Sequence, residues 1–312
     1  MPDIVVMFFI LGLVAGLVRS DLEIPKAAYD VLSLLLMLTI GLKGGMSLYG
    51  NIDLGLVLDL LVVMSVGFII PLVIFPLLRF VVGLSLADSS SVAAHYGSVS
   101  AGTFAVALAY VETNQLSTSP EVTLYLVLME LPAIIVGILL FRRFATSNIK
   151  TSTRVLWHES LTNRGVILLL GGVIIGLMYG PQNASPVTDL FTTAFKAVLA
   201  LFLLEMGLTA ADTLRPFPWK QWRLIIFAVL APPVLALFGL GVGYFLELEP
   251  GTIVVLAALT ASASYIAAPV AIHNAIPEAD IGLAMLISLG ITFPFNVIVG
   301  IGLYHSWVML LV

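Results

Sequence analysis

Apolar windows follow one another along the whole of these 312 residues, with only short loops between them. They run near 3–18, 26–48, 54–83, 87–112, 121–144, 165–180, 187–211, 221–246, 251–272 and 280–306. Most are long enough to cross a hydrocarbon core. In lipid there is no water to satisfy backbone N–H and C=O groups, so such segments must close their hydrogen bonds internally, as helices do. The predicted fold class is therefore an all-α polytopic membrane protein of about ten transmembrane helices. Composition agrees: charged residues are 10% and hydrophobic residues 60%, whereas soluble chains carry roughly 25% charged residues. Mean hydropathy is +1.13. The formal net charge of −5 gathers into no acidic or basic run that would suggest nucleic acid. With no cysteine, disulfides and thiolate metal sites are excluded. The first window, Ile4 to Val18, follows Asp3 rather than a cationic stretch, so it reads as a span and not as a secretory signal.

Charge fixes an orientation. With the N-terminus on one side, the opposite side's loops hold Arg19, Lys26, Arg79, Arg142, Arg143, Lys150, Arg154, Arg164, Arg215, Lys220 and Arg223, which is 11 of the 13 Lys and Arg. Only Lys43 and Lys196 remain. The positive-inside rule places the richer side in the cytoplasm and both termini outside. A missed or invented span would scramble this asymmetry. The halves also answer each other: Leu38–Leu42 aligns with Leu204–Leu208, Ser98–Ser100 with Ser262–Ser264, and Pro132 with Pro294. Five spans per half is an odd number, so the second half enters the membrane in the opposite sense. The predicted organisation is a 5+5 inverted-topology repeat: a first repeat over 1–145, a cytoplasmic linker over 146–164 and a second repeat over 165–312.

Two windows are interrupted by polar, small-residue runs at matching positions: Ala94–Thr103 in the fourth and Leu259–Ala268 in the ninth. A span tolerates this only where the freed backbone faces a cavity or ligand. A helix that stops and restarts at mid-membrane exposes N–H groups carrying partial positive charge. Inverted repeats bring two such restarts to one point, which suits a small oxyanion without any cationic side chain. The candidate anion-binding residues are Gly97, Ser98, Val99 and Ser100 in the first run and Thr260, Ser262, Ala263 and Ser264 in the second. Close helix packing also favours Ser, Thr, Gly and Ala, but it gives no reason for the duplication.

Carboxylates within spans are costly and usually functional. Glu130 lies beside Pro132, and Glu205 lies within the seventh window. With Thr103 and with Asn296, which mirrors Glu130, they offer the hard oxygen ligands Na⁺ prefers. The alternative is that Glu130 and Glu205 are buried carboxyls, protonated or paired with Lys43 or Lys196, that only fix packing. His95 reads as a packed or capping residue, and Tyr96 and Tyr265 read as aromatic packing beside the interruptions. Neither a zinc motif nor a nucleophile–base dyad points to an enzyme.

At these residues the sequence resembles the sodium-dependent bicarbonate transporter family of cyanobacteria and other bacteria. The resemblance runs through Ile24–Tyr29, Gly41–Gly45, His95–Ser100, Leu203–Gly207, Leu259–Ile266 and Thr292–Asn296. It implies a core domain moving against a gate domain, each built from both repeats, in a homotrimer of the bacterial inner membrane. It implies Na⁺-coupled bicarbonate uptake, with the anion between the two broken spans at Gly97, Ser98, Ser100, Ser262 and Ser264, and sodium near Glu130, Asn296 and Thr103. No cofactor is implied beyond the co-transported sodium ion. Some relatives are inhibited by a PII-like signalling protein on the cytoplasmic face, which makes such a protein a candidate partner, although the central loop here is shorter than in some of them. Two other functions fit the residues: symport of another small organic anion, and cation/proton antiport through Glu130 and Glu205.

Overall fold

A computed structural model describes residues 3–52, 54–145, 162, 164–215 and 219–311. Among the described residues there are helices and no strand. In chain order they are α1 (Ile4–Leu17), α2 (Lys26–Leu48), α3 (Leu54–Pro76), α4 (Leu86–Gly97), α5 (Ala101–Thr113) and α6 (Leu124–Phe144). Then come α7 (Arg164–Thr213), α8 (Trp222–Phe245), α9 (Pro250–Thr260), α10 (Ala267–Ala275) and a long closing helix, α11 (Ile281–Leu311). Apart from 162 and 164, the expected linker over 146–164 lies outside the described residues, as do Lys150 and Arg154.

Among the described residues, seven helical stretches are long and apolar enough to cross a membrane, with Ile4–Leu17 and Pro250–Thr260 as shorter apolar helices. The windows at 165–180 and 187–211 both fall in α7, whose 50 residues are helical throughout except at Gly180 (φ 66°, ψ 173°). No loop follows Gly180; the chain turns on that one residue. A Cβ there would lie 2.9 Å from the Tyr49 ring, and the backbone conformation is open essentially to glycine alone. The turn reverses the chain. In the first arm, 164–179, Val173 lies against Gly45; in the second, 181–213, Thr188 meets Met46 and Phe202 stacks on Tyr29, so α2 is read backwards.

Prolines account for the irregular turns. The i→i+5 segment Leu77–Val82 follows Pro76 in α3, and two more, Leu286–Thr292 and Asn296–Gly300, flank Pro294 in α11. Proline lacks the N–H an α-helix needs and crowds the preceding turn, and widening the coil relieves both.

Exposure is distributed as lipid requires. Leu54, Phe80, Leu190 and Phe245 are each more than three-quarters exposed, an arrangement water would penalise at roughly 25 cal/mol per Å². In contrast, the interrupted stretch Leu86–Thr113 is buried along most of its length, including every residue from Ser89 to Ser100. Polar residues are thus threaded through the centre of the molecule. Around it the helices form two groups: α1 and α2 pack on α7, while α3, α4 and α6 pack together and α9 packs on α5, α8 and α11. The groups meet where α7 touches α5 and α11, and where Phe9 meets Phe293 edge to face at 5.4 Å.

Candidate substrate site at the crossed helix breaks

Both sequence interruptions are breaks in the helix. α4 ends at Gly97, the chain is extended at Ser98 (φ −84°, ψ 133°) and Ser100 (φ −96°, ψ 118°), and α5 starts at Ala101. The Ser100 hydroxyl caps α5 by accepting from the Thr103 N–H at 3.1 Å, the ordinary use of serine at a helix start. In the second half α9 ends at Thr260, α10 begins at Ala267, and Ser264 Oγ accepts from the Ala268 N–H at 3.3 Å.

The two breaks cross and satisfy one another. The Ser100 N–H donates to Ser262 Oγ at 2.9 Å, and the Ser264 N–H donates to the carbonyls of Ser98 at 2.9 Å and His95 at 2.7 Å. Ser262 Oγ in turn donates to Leu259 O. Asn296 supports the crossing from α11: its amide donates to Ala261 O at 2.8 Å and its oxygen accepts from the Tyr304 hydroxyl at 2.7 Å. Buried backbone polar groups left without partners would cost about 1–3 kcal/mol each, so the breaks persist because each supplies what the other lacks.

A cavity of about 270 Å³ lies beside this crossing, between the two helix groups. Val99, Ser100 and Ala101 bring the start of α5 to it, and Ser264, Tyr265, Ile266 and Ala267 bring the start of α10. Two helix N-termini therefore share one small space, with positive dipole ends converging on it. Glu130, Leu126 and Val127 of α6 form another wall. The last wall belongs to the other helix group, with Ser33, Leu34 and Met37 of α2 and Arg164, Leu168 and Leu169 of α7. Arg164 and Asp30, ion-paired at 2.6 Å with side chains 56% and 34% exposed, stand at its mouth.

Of the residues expected from the sequence, Val99, Ser100, Ser264 and Glu130 line the cavity, while Gly97, Ser98, Thr260, Ser262 and Ala263 lie buried in the crossing behind it. Among the described residues the buried hydroxyls of Ser98 and Thr103 have no hydrogen-bond partner, and a polar ligand at the breaks would satisfy such groups. Asn296 is buried at the crossing. Glu205 is not brought to this place: it lines a separate cavity of about 630 Å³ with Arg19, Lys26, Tyr29 and Arg215, and accepts from Thr209 Oγ1 at 3.4 Å. Neither lysine neutralises a mid-span carboxylate, since Lys43 pairs with Glu112 and Lys196 donates to Thr113. His95 donates through Nδ1 to Ser91 O at 2.7 Å, and Tyr96 packs on Phe227 with its hydroxyl against Thr292.

A family model described as the Na⁺-dependent bicarbonate transporter superfamily matches residues 4–309. The chain belongs to that superfamily. No curated protein matches the chain. At the level of the family, membership implies sodium-dependent bicarbonate transport, and with the apolar helices it makes the chain a multi-pass membrane protein. Among the lining residues that the sequence does not mark as part of a site are Ser33, Met37, Arg164 and Tyr265. Ser33 and Met37, with Leu34, follow helical spacing on α2, so the stripe was visible, but nothing in it marked a cavity rather than a packing seam. The sequence reads Tyr265 as aromatic packing, and it does meet Phe293 at 5.2 Å. In the sequence Arg164 counts only as a loop charge.

Proposed function

We propose that this chain is a Na⁺–bicarbonate symporter of the bacterial inner membrane, carrying both ions into the cell by alternating access. The observation that carries this reading is the convergence of the α5 and α10 N-termini on one cavity that also holds the Glu130 carboxylate. The anion would sit against the N–H groups that open α5 and α10. Sodium would take oxygens from Glu130, Thr103 and Asn296, whose amide oxygen keeps one lone pair beyond that used by Tyr304. Glu205 is left outside the proposed site because it lines another cavity.

Coupling follows from electrostatics. Each ion offsets the desolvation cost of the other, so the doubly loaded site moves more cheaply than a singly loaded one. One-to-one loading carries no net charge, and the membrane potential, about 2.3 kcal/mol per charge per 100 mV, then cancels.

Ten crossings in a 5+5 inverted repeat, with both termini outside, complete the proposal. Two relations support it. Ser100 N–H donates to Ser262 Oγ and Ser264 N–H to Ser98 O, and these residue pairs exchange under an offset of 164 residues although the accepting atoms differ. Gly12 and Gly207, which join α1 to the second arm of α7, are answered by Gly172 and Gly41, which join the first arm to α2; in each contact a Cβ would strike the facing backbone. The homotrimer and the PII-like regulator are carried as proposals without assigned residues.

The test is uptake of labelled bicarbonate into proteoliposomes. Uptake should require an inward Na⁺ gradient, resist small carboxylates as competitors and draw no current. Sodium-independent uptake would overturn symport, better competition by another anion would reassign the cargo, and inward current on adding bicarbonate would overturn one-to-one loading.

A further inference from the structure

We propose that Arg164 is the anion's counter-charge at the cytoplasmic mouth of the cavity, and that Asp30 competes with bicarbonate for it, so that the pair sets how tightly the anion is held on release. The inference rests on the symport reading and on the orientation proposed with it.

Arg164 opens α7, where the helix dipole disfavours a cation, so helix formation gives no reason for a charge there. Geometry gives one. Arg164 and Leu168, one turn apart, line the same cavity as the N-termini of α5 and α10. On α2, Asp30 precedes Ser33, Leu34 and Met37 of the cavity wall by three, four and seven residues, which puts it on the same helical face at the rim. The Arg164–Asp30 bond, from Nη2 to Oδ1 at 2.6 Å, therefore lies across the anion's way out.

A guanidinium presents five N–H donors in a planar fork that fits a carboxylate. Bicarbonate offers the same two-oxygen edge as the aspartate side chain. Both partners are partly exposed, and a pair of this kind adds little to stability, so exchanging one carboxylate for another at Arg164 costs little. Among the described residues the other charge facing the cavity is the Glu130 carboxylate, which repels an anion and has been assigned to sodium. Arg164 is thus the cationic side chain that the cavity adds to its two dipole ends. Since Arg164 and Asp30 belong to the same helix group, the exchange needs no rearrangement between the groups.

The experiment uses the full chain in oriented proteoliposomes, measuring bicarbonate counterflow as a function of bicarbonate on the cytoplasmic side, for the wild type, Arg164→Gln, Arg164→Lys and Asp30→Asn. Arg164→Gln should raise the half-saturating bicarbonate about tenfold, as loss of a charge-assisted contact does, while half-saturating Na⁺ changes less than twofold. Arg164→Lys should fall between it and the wild type. Asp30→Asn should move the other way, lowering half-saturating bicarbonate severalfold and slowing maximal uptake because release is delayed. If the pair only braces α2 against α7, Asp30→Asn and Arg164→Gln will have the same effect, and the proposal is overturned. Unchanged bicarbonate saturation in Arg164→Gln, or an equal loss of Na⁺ and bicarbonate affinity, overturns it too, with the symport reading intact. A wild type that shows no Na⁺-dependent counterflow defeats the symport reading, and this inference falls with it.

Discussion

Gly102 and Tyr265 occupy neighbouring space at the start of α5, where a Cβ on the glycine would run into the tyrosine hydroxyl. Overpacking of this kind costs about 1–3 kcal/mol. Gly102→Ala should therefore lower the thermal midpoint and the bicarbonate uptake rate, and Gly102→Ala with Tyr265→Phe should recover most of both, because removing one oxygen removes the clash. Failure of the double variant to recover stability would mean that Phe293, 3.2 Å from the same point, sets the limit. The serines of the crossing divide in a comparable way. Ser262 accepts from the Ser100 N–H, so Ser262→Ala strands a buried donor and should cost about 1–3 kcal/mol. Ser98 has a buried hydroxyl without a partner, so Ser98→Ala should leave stability unchanged or slightly raised while half-saturating bicarbonate rises. Thermal unfolding in detergent and uptake kinetics on the same variants separate the two outcomes.

At the scale of elements, the turn in α7 depends on one residue. Gly180→Ala would force a side chain into a backbone region essentially reserved for glycine and against Tyr49. The expected cost is about 1–3 kcal/mol, read as a lower unfolding midpoint, with substrate saturation unmoved because the elbow does not line the cavity. Both this elbow and the two breaks were legible in the sequence, because Gly-Pro and the Ser/Gly/Ala runs interrupt long apolar windows. Their extents were less so. The windows leave residues 181–186 as a loop, where Pro, Asn and Ser favour turns, yet they are helical, and Pro181 opens the arm, where proline is well tolerated. The cavity wall on α2 was not legible at all: a stripe at helical spacing looks the same whether it faces a neighbouring helix or a space. Glu205 shows the reverse failing, since a mid-window carboxylate gives no sign of which face it occupies.

For the molecule as a whole, the two helix groups are joined opposite the Arg164 mouth by two lysines: Lys43 of α2 pairs with Glu112, and Lys196 of α7 donates to Thr113 at 2.9 Å. Both partners lie in the last turn of α5, whose negative dipole end also favours cations. These contacts hold the groups together at the end away from Arg164. Glu112→Gln should weaken that hold and shift the population toward a state with the mouth closed. The chain has no cysteine, so a Val127→Cys reporter in the cavity wall can be labelled by a membrane-impermeant maleimide without background. Labelling from the Arg164 side should fall in Glu112→Gln and return when the charges are swapped as Lys43→Glu with Glu112→Lys. Unchanged labelling would show that the lysines do not control the mouth.

The crossing of the breaks also bears on how the protein is made. Ser100 leaves the ribosome 162 residues ahead of Ser262, the hydroxyl its N–H requires, a delay on the order of 10–30 s at ordinary synthesis rates. Throughout that interval the Ser100 N–H lacks its partner, and lipid offers none. The nascent first half must therefore wait in a wet or proteinaceous shelter, such as the insertion machinery, until its counterpart arrives.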